Sequence, residues 1–244
     1  MNIIRKSIPN ALTLMNLLSG FAGILFWQKD ILFAASCVFF AMAFDFLDGF
    51  SARLLKATSQ TGKELDSLAD MVSFGILPAC ILFGVLYPDF VWLSFSEIKP
   101  VVYLLALIPM MSAIRLAKFN LDETQSNGFK GLPTPANAFW IAAVPFIVFN
   151  ASESSLAYHL FSKQTSILIF AMISSALLVI PVPLMALKFK NVSFKENIYK
   201  YCFILFSILL FLIFGWTGVP MIILLYILLS LFVYFLGSKK DVSY

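Results

Sequence analysis

Asp45, Asp48, Asp66 and Asp70 lie on two successive stretches of this chain that are otherwise apolar enough to sit in a membrane. An ionised carboxylate in hydrocarbon is expensive even after snorkelling and water defects, so acids in such places default to a functional reading. Asp45 and Asp48 are three residues apart, and Asp66 and Asp70 four apart. On helices each pair shares a face, with neighbouring side chains about 5–6 Å apart. A short polar turn between the two helices makes them antiparallel, so both pairs can face one cleft. Four converging acids require a strongly cationic partner. Oxygen-only ligands favour Mg²⁺ or Mn²⁺ over zinc or copper, and two such ions about 3.5–4 Å apart suit in-line phosphoryl chemistry. The expected cofactors are therefore two divalent ions, Mg²⁺ or Mn²⁺, held by Asp45, Asp48, Asp66 and Asp70.

The neighbouring residues fit a phosphate-bearing substrate. Gly49 and Ala52 extend the aspartate face by about one turn, leaving bare backbone against which a diphosphate can lie. Arg53 and Lys56, at the helix end, supply donors to phosphates. Gly62 allows a tight connection into the next helix. A lone Gly/Ala pair in a membrane helix usually serves close packing, but packing alone gives no benefit from burying four acids.

The elements that must position these residues follow from composition. Of 244 residues, 61% are hydrophobic and 12% charged, against about 45–50% and about 25% in soluble domains. The reading is an all-α polytopic membrane protein. Runs of spanning length fall near 8–27, 31–55, 64–87, 100–118, 134–150, 164–187, 200–214 and 218–236, about eight transmembrane helices. The segment 8–27 is read as an uncleaved first helix rather than a signal peptide. Lys29, Lys99 and Lys163 fall on one side of this topology, and the other 14 of the 17 Lys and Arg on the side of the termini. The positive-inside rule then puts both termini, and the cytoplasmic mouth of the aspartate hairpin, in the cytoplasm. Lys188, Lys190, Lys195 and Lys200 form a basic loop suited to anionic lipid. Pro181 and Pro183 are expected to kink the sixth span. Cys37, Cys80 and Cys202 show no metal or disulfide spacing and read as small core residues. His159 falls on the outer side, away from the cluster. Scattered basic groups along a membrane surface exclude a nucleic-acid reading.

The pattern Asp45-x2-Asp48-Gly49-x2-Ala52-Arg53-x8-Gly62-x3-Asp66-x3-Asp70 resembles the signature of the CDP-alcohol phosphotransferase family, with every signature residue at the expected spacing. The resemblance implies transfer from a CDP-linked donor to an alcohol with release of CMP. It implies that the four aspartates bind two metals and that Asp70 is also the general base. It puts Gly49, Ala52, Arg53, Thr58 and Gly62 around the CDP group, with Asn10 and Thr13 in the nucleotide-contacting start of the first span. It also implies a six-helix core, assigned here to residues 1–190, with two further helices in 191–244. A homodimer in the cell (inner) membrane is the expected assembly.

Within that family, three segments look like the bacterial and archaeal membrane phosphatidylserine synthases: Gly62 to Gly75, Arg115 to Asn120, and Phe129 to Pro135. The implied substrates are CDP-diacylglycerol and L-serine. Serine brings a carboxylate, which suits the bidentate guanidinium of Arg115, with Lys130 and Asn120 completing the expected serine site and Thr134 beside it. Topology or lipid contact is the alternative for Arg115 and Lys130. Glycerol-3-phosphate, phosphatidylglycerol and inositol phosphate remain open as acceptors, although a phosphorylated acceptor wants a denser cation cluster. Direct displacement is expected, since no separate nucleophile is evident; a phospho-aspartyl step stays open. A cation-coupled transporter would place its acids near the midplane in repeated halves, and this chain has one hairpin with no matching set.

Overall fold

The computed structural model describes residues 2–90, 98–121, 128–185 and 197–236, with side chains from residue 7 onward and without those of 128–130. Lys188, Lys190 and Lys195 of the expected basic loop lie outside the described residues. Ten α-helices are seen there: α1 (Asn2–Phe26), α2 (Ile31–Leu54), α3 (Gln60–Asp70), α4 (Leu77–Leu86), α5 (Leu107–Leu121), α6 (Thr134–Asn150), α7 (Leu156–Ser162), α8 (Gln164–Val179), α9 (Ile198–Phe214) and α10 (Gly218–Leu236). A π-helical turn (Met71–Ile76) joins α3 to α4, and a 3₁₀ segment (Pro100–Ala106) leads into α5.

This is a helical multi-pass membrane protein. Five helical runs among the described residues are long and apolar enough to cross a bilayer: Ser7–Phe26, Ile31–Leu54, Gln60–Leu86, Pro100–Leu121 and Ile198–Phe235. A sixth arises if α7 and α8, which meet at 78°, count as one broken span. The expected eight are not reached on that measure. Helix α6 has 17 residues, and α9 with α10 forms a single run of 38. That last run nonetheless doubles back. Gly215 adopts φ +56°, and the rings of Phe203 and Tyr226, on opposite arms, lie 5.6 Å apart.

The hairpin that carries the acids is fixed by its ends. Asp30 caps α2, accepting from the Phe33 amide at 2.9 Å. At the other end the Ala57 amide reaches back to the Ala52 carbonyl (2.9 Å) and the Lys56 amide to Arg53 (3.2 Å), the paired bonds of a Schellman stop. Lys56 takes the left-handed residue of that motif, φ +51°. The tight connection is therefore made at Lys56, not at Gly62 as expected. Gly62 already lies inside α3, where its amide donates to the N-cap Ser59 at 3.1 Å, the usual satisfaction of a first-turn donor.

Two apolar clusters hold the helices together. One joins α2, the π turn and α4 to α6 through Val38, Phe74, Leu77 and Ala142. The other joins α4, α5, α6 and α8 to the C-terminal hairpin through Ile108, Ile141, Ile167, Val219 and Tyr226. Pro181 and Pro183 do not kink a span. Helix α8 ends at Val179, and Pro183–Met185 (β2) pairs antiparallel with Gly128–Lys130 (β1). A residue before proline is pushed out of the helical region, which explains the stop. Gly131, directly after β1 and at φ +87°, runs so close to the end of α8 that an added Cβ would sit 2.7 Å from the Leu178 carbonyl. Cys37 is buried, and all three thiols are free.

Candidate active site

Carboxylate oxygens of Asp45, Asp48 and Asp66 lie within 4.8 Å of one another. Asp45 and Asp48 come from the last turns of α2 and Asp66 from the middle of α3, so the antiparallel hairpin brings them together as their spacing requires. Asp48 is 6% exposed, and its Oδ2 accepts from Thr13 Oγ1 at 2.6 Å, which ties α1 to α2. Asp66 Oδ1 is buried and has no hydrogen-bond partner among the described residues. Three acids packed this closely, one with an orphaned buried oxygen, fit a hard divalent ion bound through oxygen.

Asp70 stands one turn further along α3 and is outside that trio. It is 7% exposed, and its Oδ1 accepts from Asn16 Nδ2 at 3.1 Å. Asn16 is a site residue that the spacing argument missed. It belongs to the face of α1 already marked by Asn10 and Thr13, since residues three apart on a helix are neighbours. Continuing that series one step inward would have found it. Immediately beyond Asp70 the π turn begins, and Ser73 Oγ donates to the Asn16 carbonyl at 3.0 Å. π turns inside helices occur often at functional sites.

Beside the acids lies an open cleft of about 470 Å³. Asn10, Thr13, Gly49, Ala52, Thr58 and Gly62 all line it, together with Asp48 and Asp66. Arg53 is not in its wall; the guanidinium lies over Gly49, with Nη1 3.6 Å from where a Cβ would be. Beyond α2's own backbone, nothing else among the described residues lies within 4 Å of that Cβ, so Gly49 presents bare backbone to space and not to a packed neighbour. Pro9, Ala57, Ser59, Gln60 and Lys63 also line the cleft. Of these, Ser59 is the N-cap of α3, a residue type favoured at that position.

The residues expected to take serine are arranged less openly. Arg115 is 6% exposed, and its Nε donates to the Leu132 carbonyl while Nη2 reaches the Gly131 carbonyl at 3.4 Å. Two of its five donors are thus committed to the backbone that follows β1. Asp70 and Tyr226 are its electrostatic neighbours. Asn120 Nδ2 donates to Ser67 Oγ at 2.9 Å and to Glu64 Oε2 at 3.3 Å, and the Asn120 main-chain carbonyl accepts from Lys63 Nζ at 2.8 Å. These bonds join the end of α5 to the side of α3 that carries Lys63, Glu64 and Ser67. Lys130 falls in β1, and its side chain lies outside those described. Thr134 is buried at the start of α6.

A family model described as CDP-alcohol phosphatidyltransferase matches residues 6–187. The chain belongs to the CDP-alcohol phosphatidyltransferase family. It is accordingly a transferase, and the family is metal-dependent. Among its relatives, the CDP-diacylglycerol–serine O-phosphatidyltransferase of Bacillus subtilis (strain 168) is 30% identical over 169 residues, covering 64% of this chain and 87% of the relative. The protein of the same name from Helicobacter pylori (strain J99) is 37% identical over 134 residues, 53% of either chain. That of Methanocaldococcus jannaschii is 34% identical over 137 residues, 55% of this chain and 59% of the relative. The chain thus aligns with most of the Bacillus relative and with about half the length of the other two.

Proposed function

We propose that this protein transfers the phosphatidyl group of CDP-diacylglycerol to the hydroxyl of L-serine, forming phosphatidylserine and CMP. The observation that carries the reading is the carboxylate trio Asp45, Asp48 and Asp66, two of whose members, Asp48 and Asp66, line a cleft together with Gly49 and Ala52. The shared name of the relatives supports serine as the acceptor.

Asp45, Asp48, Asp66 and Asp70 would hold two divalent ions, Mg²⁺ or Mn²⁺. When bound, these supply Lewis-acid neutralisation of a diphosphate and of charge developing on the transferring group. The remaining work falls to the chain. Gly49 and Ala52 admit the diphosphate against backbone, and Arg53 donates to its oxygens. Asn10, Thr13, Thr58 and Gly62 surround the nucleotide. Arg115, Lys130 and Asn120 form the acceptor side, where a guanidinium can take the serine carboxylate. Asp70 accepts the serine hydroxyl proton as the serine oxygen bonds to the lipid-side phosphorus. The bond from that phosphorus to the CMP oxygen breaks in the same displacement, and CMP leaves. Acyl chains stay in the bilayer throughout.

In this reading the site opens on the cytoplasmic face of the inner membrane, and the protein works there as a homodimer. Residues 1–190 carry the reaction. The deciding experiment supplies purified protein with CDP-diacylglycerol, Mg²⁺ or Mn²⁺, and a panel of alcohols, and follows CMP. Serine-dependent CMP is expected. CMP only with another acceptor would remove serine and keep the family.

A further inference from the structure

Asn16 is wholly buried, 0% exposed, in the middle of α1. Its amide group faces Asp70, and only the NH₂ end can donate to a carboxylate, so Nδ2 takes the 3.1 Å bond to Asp70 Oδ1. The other end, Oδ1, is buried and has no partner among the described residues. A buried carbonyl oxygen left unpaired is costly, and each such orphan requires an explanation. Packing does not supply one, because a leucine or methionine fills that volume without an orphan.

The backbone around Asn16 is held against adjustment. Ser73 Oγ binds its carbonyl from the π turn. One turn further on α1, Gly20 lies so close to Ser73 that an added Cβ would be 2.8 Å from the Ser73 Cα. Helix α1 is pressed against the segment that follows Asp70, and Asn16 is shut off from water there. Its free oxygen stays beside the carboxylate that receives the acceptor's proton.

We propose that Asn16 bridges the base and the acceptor. Nδ2 orients the Asp70 carboxylate, and Oδ1 accepts a hydrogen bond from the ammonium of the amino-alcohol whose hydroxyl Asp70 deprotonates. This rests on the serine reading above and extends it. In serine the ammonium and the hydroxyl are on adjacent carbons, so one short side chain spanning base and ammonium matches the molecule's compactness. Arg115, an electrostatic neighbour of Asp70, is left for the carboxylate. Asn16 thereby selects for an amine beside the reacting hydroxyl.

The test uses the full-length enzyme with CDP-diacylglycerol and compares serine with 3-hydroxypropionate, which keeps the hydroxyl and carboxylate and lacks the ammonium. Wild type is expected to prefer serine by about 10–100-fold in kcat/KM, the effect of one charge-assisted hydrogen bond. Asn16→Ala is expected to lower kcat with serine and to reduce that preference to within about threefold, the KM for CDP-diacylglycerol staying within about twofold. Asn16→Leu, which fills the volume, separates folding from recognition; it should match the wild-type thermal midpoint and behave catalytically as Asn16→Ala. An undiminished preference in both variants overturns the proposal. So does a rise in the Mg²⁺ or Mn²⁺ concentration for half-activity with preference intact, which would give Oδ1 to the metal. A wild type inactive with serine overturns the acceptor reading itself, and this inference falls with it.

Discussion

Thr13 Oγ1 lies 2.6 Å from Asp48 Oδ2 and 3.1 Å from the carbonyl of Pro9. One hydroxyl proton serves one of them at a time, and the shorter, charge-assisted bond to the carboxylate wins. Helix α1 thus reaches into the acid trio through a single side chain, leaving the other oxygen of Asp48 for a cation. Partners that orient a ligating carboxylate are worth about 10–100-fold in metal affinity or activity. Thr13→Val, close in shape and without the donor, should raise the Mg²⁺ or Mn²⁺ concentration giving half-maximal CMP release by about that factor. An unchanged metal requirement would show that Thr13 only packs.

Two glycines should respond in opposite ways. A side chain on Gly49 meets only the movable Arg53 guanidinium, whereas a Cβ on Gly20 runs into the backbone of Ser73. Gly49→Leu should fold normally and raise the KM for CDP-diacylglycerol by at least about tenfold, because the added volume enters the cleft. Gly20→Ala should cost about 1–3 kcal/mol by overpacking, seen as a lower thermal midpoint in detergent. If Gly49→Leu instead loses stability and keeps its KM, the glycine is a packing residue and the diphosphate lies elsewhere.

Arg115 separates two roles by its atoms. Nε and Nη2 hold the Leu132 and Gly131 carbonyls, which fixes the segment after β1; in the proposed reading Nη1 takes the serine carboxylate. Arg115→Lys keeps a charge but cannot reproduce the fork. Both Arg115→Lys and Arg115→Ala should raise the KM for serine by at least about tenfold and leave that for CDP-diacylglycerol within about twofold. Equal rises in both constants would reduce Arg115 to a structural tie.

The acid hairpin was readable from sequence because helical spacing is local: Asp45 and Asp48, and Asp66 and Asp70, share faces whatever the rest of the chain does. Gly49 and Ala52 were readable from the same helical spacing, whereas Asn10, Thr13, Thr58 and Gly62 were placed in the cleft by the match to a known signature. What was not legible depended on packing between distant segments. The bond from Asn16 to Asp70 became visible only when α1 was laid against α3, although helical spacing from Asn10 and Thr13 marks its face, and the commitment of Arg115 to backbone carbonyls only when the segment after β1 was seen beside α5. Lys56 hid the turn because the left-handed C-terminal position is usually a glycine, which drew attention to Gly62. Pro181 and Pro183 were read as a kink because hydropathy alone does not separate a bent helix from a helix that ends before a short strand.

The C-terminal hairpin is tied to the acceptor side through one connected path. Tyr226 Oη donates to the Met185 carbonyl at 2.8 Å, and the Met185 amide donates to Ser230 Oγ at 3.2 Å, so α10 grips β2. β2 pairs with β1, in register from Gly128 opposite Met185 to Lys130 opposite Pro183. β1 leads into Gly131 and Leu132, whose carbonyls Arg115 holds. Leu184, Val219, Ile223 and Tyr226 also share one apolar cluster with Ile108 of α5. Loosening α10 should therefore reach serine binding before it reaches the nucleotide cleft, which is built from α1, α2 and α3. Tyr226→Phe removes a bond worth about 1 kcal/mol, or about 2–4 °C in a chain of this size. It should raise the KM for serine while leaving the KM for CDP-diacylglycerol unchanged. A chain ending at residue 190 exposes the buried side of this cluster and is expected to lose serine-dependent CMP release. If it retained full activity with a normal serine KM, α9 and α10 would be passengers on the fold, and the path from Tyr226 to Arg115 would carry no coupling.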